Sequence, residues 1–322
     1  KAQYTDALNC FSQAVALDSG NTEALEAYNL AIQMMVPRYH FNMLNDKERN
    51  EQYDRAIRQV VTTRSTVLDV GTGSGLLSMM AARAGAQKIY TCEVLPPIAE
   101  VALQVIASNG YADRIQVFAK KSDELVLGID IPKRLDVLIT ETIDSALIGE
   151  GIIPIIKHAR EYLLKPGAKV VPLGATVFAS LLESEVVLKM NHVDRAVGFD
   201  VSGFNQLATN GAYPVRLGLL NHRLLCDPIE VCRFNFEQDP LEKRQFEFPI
   251  VARKTGRCHA VAFWFDLYLN ATTTISNAPG NAQTHWKQAI QCLERPVAIQ
   301  AGKQVQLGVK QDLTKFEFDL RR

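Results

Sequence analysis

Thr66-Val-Leu-Asp-Val-Gly-Thr-Gly-Ser-Gly-Leu-Leu-Ser78 decides the fold of this chain. Residues of strand character run into three glycines at alternate positions, and a helical apolar pattern follows at once. That order is a β-strand, a tight turn and a helix, the unit that holds a nucleotide-like cofactor at the C-terminal edge of a parallel sheet. Gly71, Gly73 and Gly75 remove side chains where the turn is tight and a ligand must lie against the backbone. The dinucleotide pattern GxGxxG would carry its third glycine at the position of Leu76, so the spacing favours S-adenosylmethionine over NAD. Asp69, just before the turn, is placed to receive a cationic amino group, and Glu93, at the tip of the next apolar run, to accept both ribose hydroxyls. A glycine turn without a ligand is the alternative, opposed by strand, turn, helix and second-strand acid all occurring in order.

The 322 residues are 47% hydrophobic, enough for a large core and for two domains or one domain with an appendage. Lys plus Arg equals Asp plus Glu at 35 each, which gives no overall attraction to nucleic acid or to an anionic membrane. No apolar run approaches the ~20 residues of a membrane span. No signal peptide is recognised, and a chain beginning at Lys1 without a methionine reads as a fragment. Cys10, Cys92, Cys226, Cys232, Cys258 and Cys292 form no CxxC pair and no zinc spacing. They read as reduced thiols of a cytoplasmic or nuclear protein, and no metal site is expected.

Residues 1–36 have a helical period, with Tyr4, Ala7, Leu8, Phe11, Ala14 and Val15 on one face. Ser19-Gly20-Asn21 stops that helix and 22–26 starts another, a pattern similar to part of a tetratricopeptide repeat; a plain helical hairpin is the alternative. A further helix is expected over 45–61. From 37 to 173 strand and helix patterns then alternate: 67–70, 76–84, 88–93, 97–109, 115–119, 135–140, 152–164 and 168–172. This alternation specifies an α/β doubly wound, Rossmann-like parallel sheet, with Lys165-Pro166-Gly167 ending the last helix. From 174 to 322 the period becomes two, which predicts a mostly antiparallel β domain. Its irregular stretch 191–227 is long for a loop and is either a functional arm or partly disordered.

Thr140-Glu-Thr-Ile-Asp-Ser-Ala-Leu-Ile-Gly-Glu150 follows an apolar strand. Glu141 therefore emerges at the sheet edge, and Glu150 returns just before a helix. Two carboxylates flanking one pocket match the planar fork of a guanidinium; without a cation they repel. A solvated acidic loop is the other reading.

Together, the glycine motif, the Glu141/Glu150 loop and Gln283-Thr-His-Trp-Lys-Gln288 resemble the protein arginine methyltransferases, over roughly residue 37 to the end. The number-nine branch is the one these motifs and the helical N-terminus most resemble. The resemblance implies a cofactor domain followed by a β-barrel. His40, Met43, Leu44, Asp46 and Arg49 match the family pattern His-x-x-Met-Leu-x-Asp-x-x-Arg. By that resemblance Arg49 pairs with the cofactor carboxylate, and Met43 lies near the sulfonium, where a helical methionine is otherwise core filler. Ser122 and Asp123 match the adenine-holding positions, with Asp in place of the more frequent Glu. The aromatic Tyr-Phe-x-x-Tyr helix of other members is absent, with Tyr39 or Phe41 as substitutes. His285, alone a structural histidine, resembles here the residue that closes the arginine slot, with Trp286 as its wall. Residues from 197 to about 226 resemble the family's dimerisation arm, which docks on a second copy or on a degenerate methyltransferase domain absent from this sequence.

The implied reaction is methyl transfer from S-adenosylmethionine to a guanidinium nitrogen of a protein arginine, with symmetric dimethylarginine as product and a splicing-factor protein as substrate. Glu141, Glu150 and His285 carry the chemistry in this reading. The alternatives are a small-molecule methyltransferase and a noncatalytic helical-repeat adaptor.

Overall fold

The computed structural model describes residues 2–281 and 284–321, with side chains from Asp6 onward. Its chain divides into two compact units, Lys1–Thr140 with Ala159–Ala168, and Glu141–His158 with Lys169–Arg322.

The first unit opens with a helical hairpin, α1 (Ala2–Leu17) and α2 (Thr22–Met35). Asn21 starts α2 by accepting the Ala24 N–H at 3.0 Å, which satisfies one donor that the helix itself leaves unpaired. Leu8, Ala31 and Met35 are buried together, with Phe11, Tyr28, Ile32 and Leu95 against them. The expected face of α1 is the one turned inward, although the Tyr4 side chain lies outside the described residues. Next come α3 (Tyr39–Leu44) and α4 (Lys47–Val60), the latter capped by Asp46, whose Oδ1 accepts the Arg49 N–H at 2.9 Å.

Five strands form the sheet: β1 (Thr66–Val70), β2 (Lys88–Cys92), β3 (Ile115–Phe118), β4 (Leu135–Thr140) and β5 (Leu164–Val171). Their order is β3-β2-β1-β4-β5, and β1 runs parallel to both of its neighbours. Strand order therefore reverses at β1, and Val70 at its end pairs with Cys92 on one side and Thr140 on the other. Such a switch point opens the C-terminal edge for a ligand. Every residue of β1 is buried, as a strand covered on both faces requires. Two helices, α5 (Leu76–Arg83) and α6 (Pro96–Ser108), supply the crossovers from β1 to β2 and from β2 to β3.

The expected helix 152–164 is shorter: α7 (Ile152–His158) passes into a π turn, Ala159–Leu163, and β5 starts at Leu164. Lys165-Pro166-Gly167 thus lies in a strand rather than before one. As β5 is the last strand in the sheet order, it can hold a proline that an inner strand would reject.

In the second unit the strands are antiparallel. They are β6 (Gly174–Glu183), β7 (Arg195–Ala196), β8 (Phe199–Asp200), β9 (Tyr213–Val215), β10 (Arg223–Leu224), β11 (Ile229–Asn235), β12 (Arg244–Val251), β13 (Gly256–Tyr268), β14 (Thr274–Ser276), β15 (Gln288–Ile299), β16 (Gln304–Gln311) and β17 (Phe316–Arg321), with α8 (Glu185–Asn191) after β6. Seven strands form one sheet, β10-β6-β13-β15-β9 with β11 on β6 and β14 on β13, and β12-β16-β17 form another. The expected closed barrel is absent among the described residues. Where β15 meets β17, the Gln291 side chain takes the place of a backbone ladder: its Oε1 accepts the Phe318 N–H and its Nε2 donates to the Phe318 carbonyl, both at 2.9 Å.

The stretch 191–227 is an ordered arm. Asn205 closes it by accepting the Val193 N–H at 2.9 Å and donating to the Val193 carbonyl at 2.8 Å. The arm leaves apolar side chains in solvent, with Val197 99%, Phe199 74%, Phe204 69%, Leu207 74% and Leu219 79% exposed.

Candidate active site

The glycine turn is locked from below. Gly71 and Thr72 both donate to the Cys92 carbonyl at 3.1 Å, Gly75 donates to the Thr72 carbonyl at 2.8 Å, and the Thr72 and Thr91 hydroxyls meet at 2.6 Å. Gly75 has φ +81°, and a Cβ there would sit 2.7 Å from Ile106 Cγ1, so neither its backbone angle nor its packing tolerates a side chain. Around Gly73 the space is open, with no atom nearer to a Cβ position than 4.0 Å. A ligand can therefore approach the backbone at Gly73, while Gly75 is reserved for helix packing.

Glu93 is 7% exposed, and its carboxylate is aimed by two backbone donors: Gly73 N–H to Oε2 at 3.1 Å and Leu95 N–H to Oε1 at 3.0 Å. A carboxylate has about four acceptor sites, so two remain for a diol. This cradle fits the adenosyl cofactor. Ser122 and Asp123 lie on a 3-10 turn, Ser122–Glu124, with Ser122 half-buried and Asp123 exposed. Met43 is half-buried on α3. Arg49 is 2% exposed, its guanidinium 5.0 Å from the Tyr53 ring centroid and its Nη1 donating to Asn50 Oδ1 at 2.7 Å.

Asp69 departs from expectation. It has no exposed surface, so it cannot receive an amino group directly; its Oδ2 accepts the Ser78 hydroxyl at 2.6 Å, tying β1 to α5. Its Oδ1 has no partner at bonding geometry, the nearby Thr91 hydroxyl being engaged with Thr72. Burial pushes the carboxyl up from 3.8 to about 7, against the opposing pull of the Ser78 and Thr91 hydroxyls and the Arg49 charge.

In the second unit, Glu141 is half-buried directly after β4 and Glu150 is exposed before α7. The loop between them is held by its own Asp144 and by the Thr284-His-Trp turn. Asp144 Oδ1 accepts the Ala146 N–H at 3.1 Å and the Gly149 N–H at 2.9 Å, while burial raises its pKa. Leu147 inside the loop is fully buried at φ +76°, a backbone strain held by its surroundings. From the other side, Trp286 Nε1 donates to the Ile143 carbonyl at 2.9 Å, and Lys287 N–H to Ser145 Oγ at 3.3 Å. Trp286 is 2% exposed, edge-on to Phe265 with centroids 5.6 Å apart; His285 is half-buried with its ring 4.5 Å from that of Trp286. Gln283 lies outside the described residues. Thr284 and His285 carbonyls both receive Arg216 Nη2, at 3.1 and 3.3 Å.

The structure thus brings the stretch between Glu141 and Glu150 together with the Thr284-His-Trp turn, and it adds Ser78, Asp144 and Arg216, which the sequence reading did not single out. Only Asp144 had a local signal, an Asp whose carboxylate can cap the N–H groups that follow it. Among the described residues there is no cluster of three metal-ligating side chains, and no helix long and apolar enough to cross a membrane.

Residues 174–319 match the family model described as arginine methyltransferase oligomerization subdomain, and residues 55–171 that of ribosomal protein L11 methyltransferase. An arginine N(omega)-methyltransferase of Streptomyces achromogenes subsp. streptozoticus is 42% identical over 92% of this chain and 83% of its own length. Protein arginine N-methyltransferase 7 of Aedes aegypti is 37% identical over 74% of the chain and 38% of its own length. Protein arginine N-methyltransferase 1.6 of Arabidopsis thaliana is 33% identical over 90% and 44%. The chain thus spans less than half of these last two relatives. Relatives named number seven appear here where the motifs had pointed to number nine. Among solved structures, the Trypanosoma brucei arginine methyltransferase 1 enzyme–prozyme complex with AdoHcy has a TM-score of 0.75 at 24% identity, covering 88% of this chain and 92% of its own. Arabidopsis thaliana protein arginine methyltransferase 10 follows with 0.68 at 20% identity over 88% and 98%. Those two share the fold.

Proposed function

Because this chain belongs to the protein arginine methyltransferase family, we propose that it transfers a methyl group from S-adenosylmethionine to a guanidinium nitrogen of an arginine in a protein. The observation that carries this reading is the 141–150 loop, with a glutamate at each end and its Ile143 carbonyl held by buried Trp286. The cofactor supplies an electrophilic methyl on a sulfonium. Glu93 would hold the ribose, Ser122 and Asp123 the adenine, and Arg49 the cofactor carboxylate, with Met43 serving the sulfonium end. Asp69 acts through Ser78, keeping α5 in register under the turn.

Glu141 and Glu150 pair with the guanidinium, draw its charge toward the nitrogens they hold and leave one nitrogen to attack. Free arginine keeps its proton up to pH ~12, so proton loss accompanies or follows transfer. Rate comes from placement: well-oriented reactants gain about 7–11 kcal/mol over free encounter. His285 and Trp286 close the slot.

On the resemblance of its motifs, the product is symmetric dimethylarginine and the substrate a splicing-factor protein. The α1–α2 hairpin is similar to part of a tetratricopeptide repeat and would serve to bind a partner. The exposed apolar arm pairs with a second methyltransferase domain.

Glu141→Gln and Glu150→Gln are expected to abolish methyl transfer to arginine peptides while S-adenosylmethionine binding, followed by calorimetry, persists. Full activity in both variants would sink the assignment. Free L-arginine is the control acceptor, since the Streptomyces relative is named for arginine without mention of protein. Transfer to free arginine alone favours the small-molecule reading, and tandem mass spectrometry of the methylated peptide decides between product isomers.

A further inference from the structure

Asn277 follows β14 and has no exposed surface, yet it bonds through every polar group it owns. Its Oδ1 accepts the Phe265 N–H at 2.7 Å, and its Nδ2 donates to the Lys287 carbonyl at 2.6 Å and to the Ser145 carbonyl at 3.4 Å. Its own N–H donates to the Phe265 carbonyl at 3.1 Å, and its carbonyl accepts Gln288 Nε2 at 2.7 Å. Gln288 is 2% exposed and uses Oε1 to accept the Leu217 N–H at 2.9 Å. One buried amide thus joins central strand β13, the residue after Trp286 and the loop between the two glutamates. The orientation of the amide is fixed by its neighbours, since a flipped group would set nitrogen against an N–H and oxygen against two carbonyls.

We propose that Asn277 is a positioning residue for the methyl acceptor, setting the 141–150 loop against the Thr284-His-Trp turn so that Glu141 and Glu150 hold the guanidinium in the attacking geometry. This rests on the reading of those glutamates given above. The loop receives three holds from this side: Trp286 at the Ile143 carbonyl, Lys287 N–H at Ser145 Oγ, and Asn277 at the Ser145 carbonyl. Asn277 also holds the Lys287 carbonyl, on the residue whose N–H makes the second of these bonds. Losing it loosens Ser145 and Lys287 together and leaves two part-buried carbonyls short of a donor, while the bonds around Glu93 do not involve it. Displacement of a reacting group by ~1 Å costs up to about 100-fold in rate.

The test compares Asn277→Leu, of similar volume and unable to hydrogen bond, and Asn277→Ser, which keeps one donor, with the parent and with Glu141→Gln. Each is assayed for kcat and KM on a glycine- and arginine-rich peptide, for S-adenosylmethionine affinity and for thermal midpoint. The expected result is a kcat about 10- to 100-fold lower for the Leu variant and partly recovered in the Ser variant, with cofactor affinity within twofold of the parent. Values of kcat near the parent in a folded Leu variant would overturn the proposal. So would an activity loss matched by a loss of cofactor binding and of folded protein in both variants, because that is a structural role alone. If the parent methylates the peptide and Glu141→Gln does not, failure of the Asn277 variants to respond falls on this inference only. A fully active Glu141→Gln, or an inactive parent, removes the underlying reading and this inference with it.

Discussion

Replacing Asp69 with Asn tests the buried carboxyl beneath the glycine turn. Asn retains an acceptor for the Ser78 hydroxyl and carries no charge. In the folded protein burial lifts the Asp69 carboxyl from 3.8 to about 7, and the side chain has no exposed surface, so solvent screening does not reduce the effect. Roughly three pH units at 1.36 kcal/mol each amount to ~4 kcal/mol. Because the folded pKa is the higher one, the unfolded chain releases this proton first as pH rises. Stability is then full below pH ~4, falls as pH climbs toward ~7, and levels off above it. Between pH 5 and pH 8 the parent should lose about 2–3 kcal/mol more than Asp69→Asn. Urea titration followed by helical circular dichroism reads this, since α1 to α6 all lie in the first unit. Midpoints and slopes would be collected at pH 5, 6, 7 and 8 without cofactor. Parallel pH dependences for parent and variant, within about 0.5 kcal/mol, would refute the argument that this carboxyl is buried without adequate compensation.

Two glycines supply sharper steric tests. At Gly75, alanine must take φ +81° and place its Cβ 2.7 Å from Ile106 Cγ1; a loss of ~2–4 kcal/mol in stability and weaker S-adenosylmethionine binding are expected, read by thermal melting and calorimetry. At Gly149, a Cβ would fall 2.2 Å from Asp144 Oδ2 and expel the carboxylate that gathers the Ala146 and Gly149 N–H groups. Gly149→Ala should therefore lower kcat about 10-fold or more with cofactor affinity retained, as steady-state kinetics beside calorimetry would show.

Short-range regularities were the readable part of this chain. The face of α1, the order of alternating elements and the glycine turn each follow from spacing within a few residues, and the structure has them where spacing puts them. Residues 164–167 were misread because a proline and a glycine signal a stop locally, and only the sheet order reveals that β5 is a last strand able to hold them. The closed barrel was implied by the family resemblance, not by the spacing. Alternation predicts strands but does not say which pairs form ladders, and here Gln291 bonds to Phe318 in place of one.

Sequence alone pointed to a cofactor of the adenosyl type at the edge of a parallel sheet, because GxGxG after an apolar strand, with an acid at the tip of the next, is a pattern local to a few residues. It also named Glu141 and Glu150 as the pair suited to a guanidinium, since charge type and loop position are local properties. Tertiary structure decided what surrounds each acid. It buried Asp69 under the turn, oriented Glu93 through Gly73 and Leu95, and pinned the 141–150 loop from residues more than a hundred positions away. Burial and a hydrogen bond across such a distance depend on how the strands pack, and no spacing along the chain encodes that.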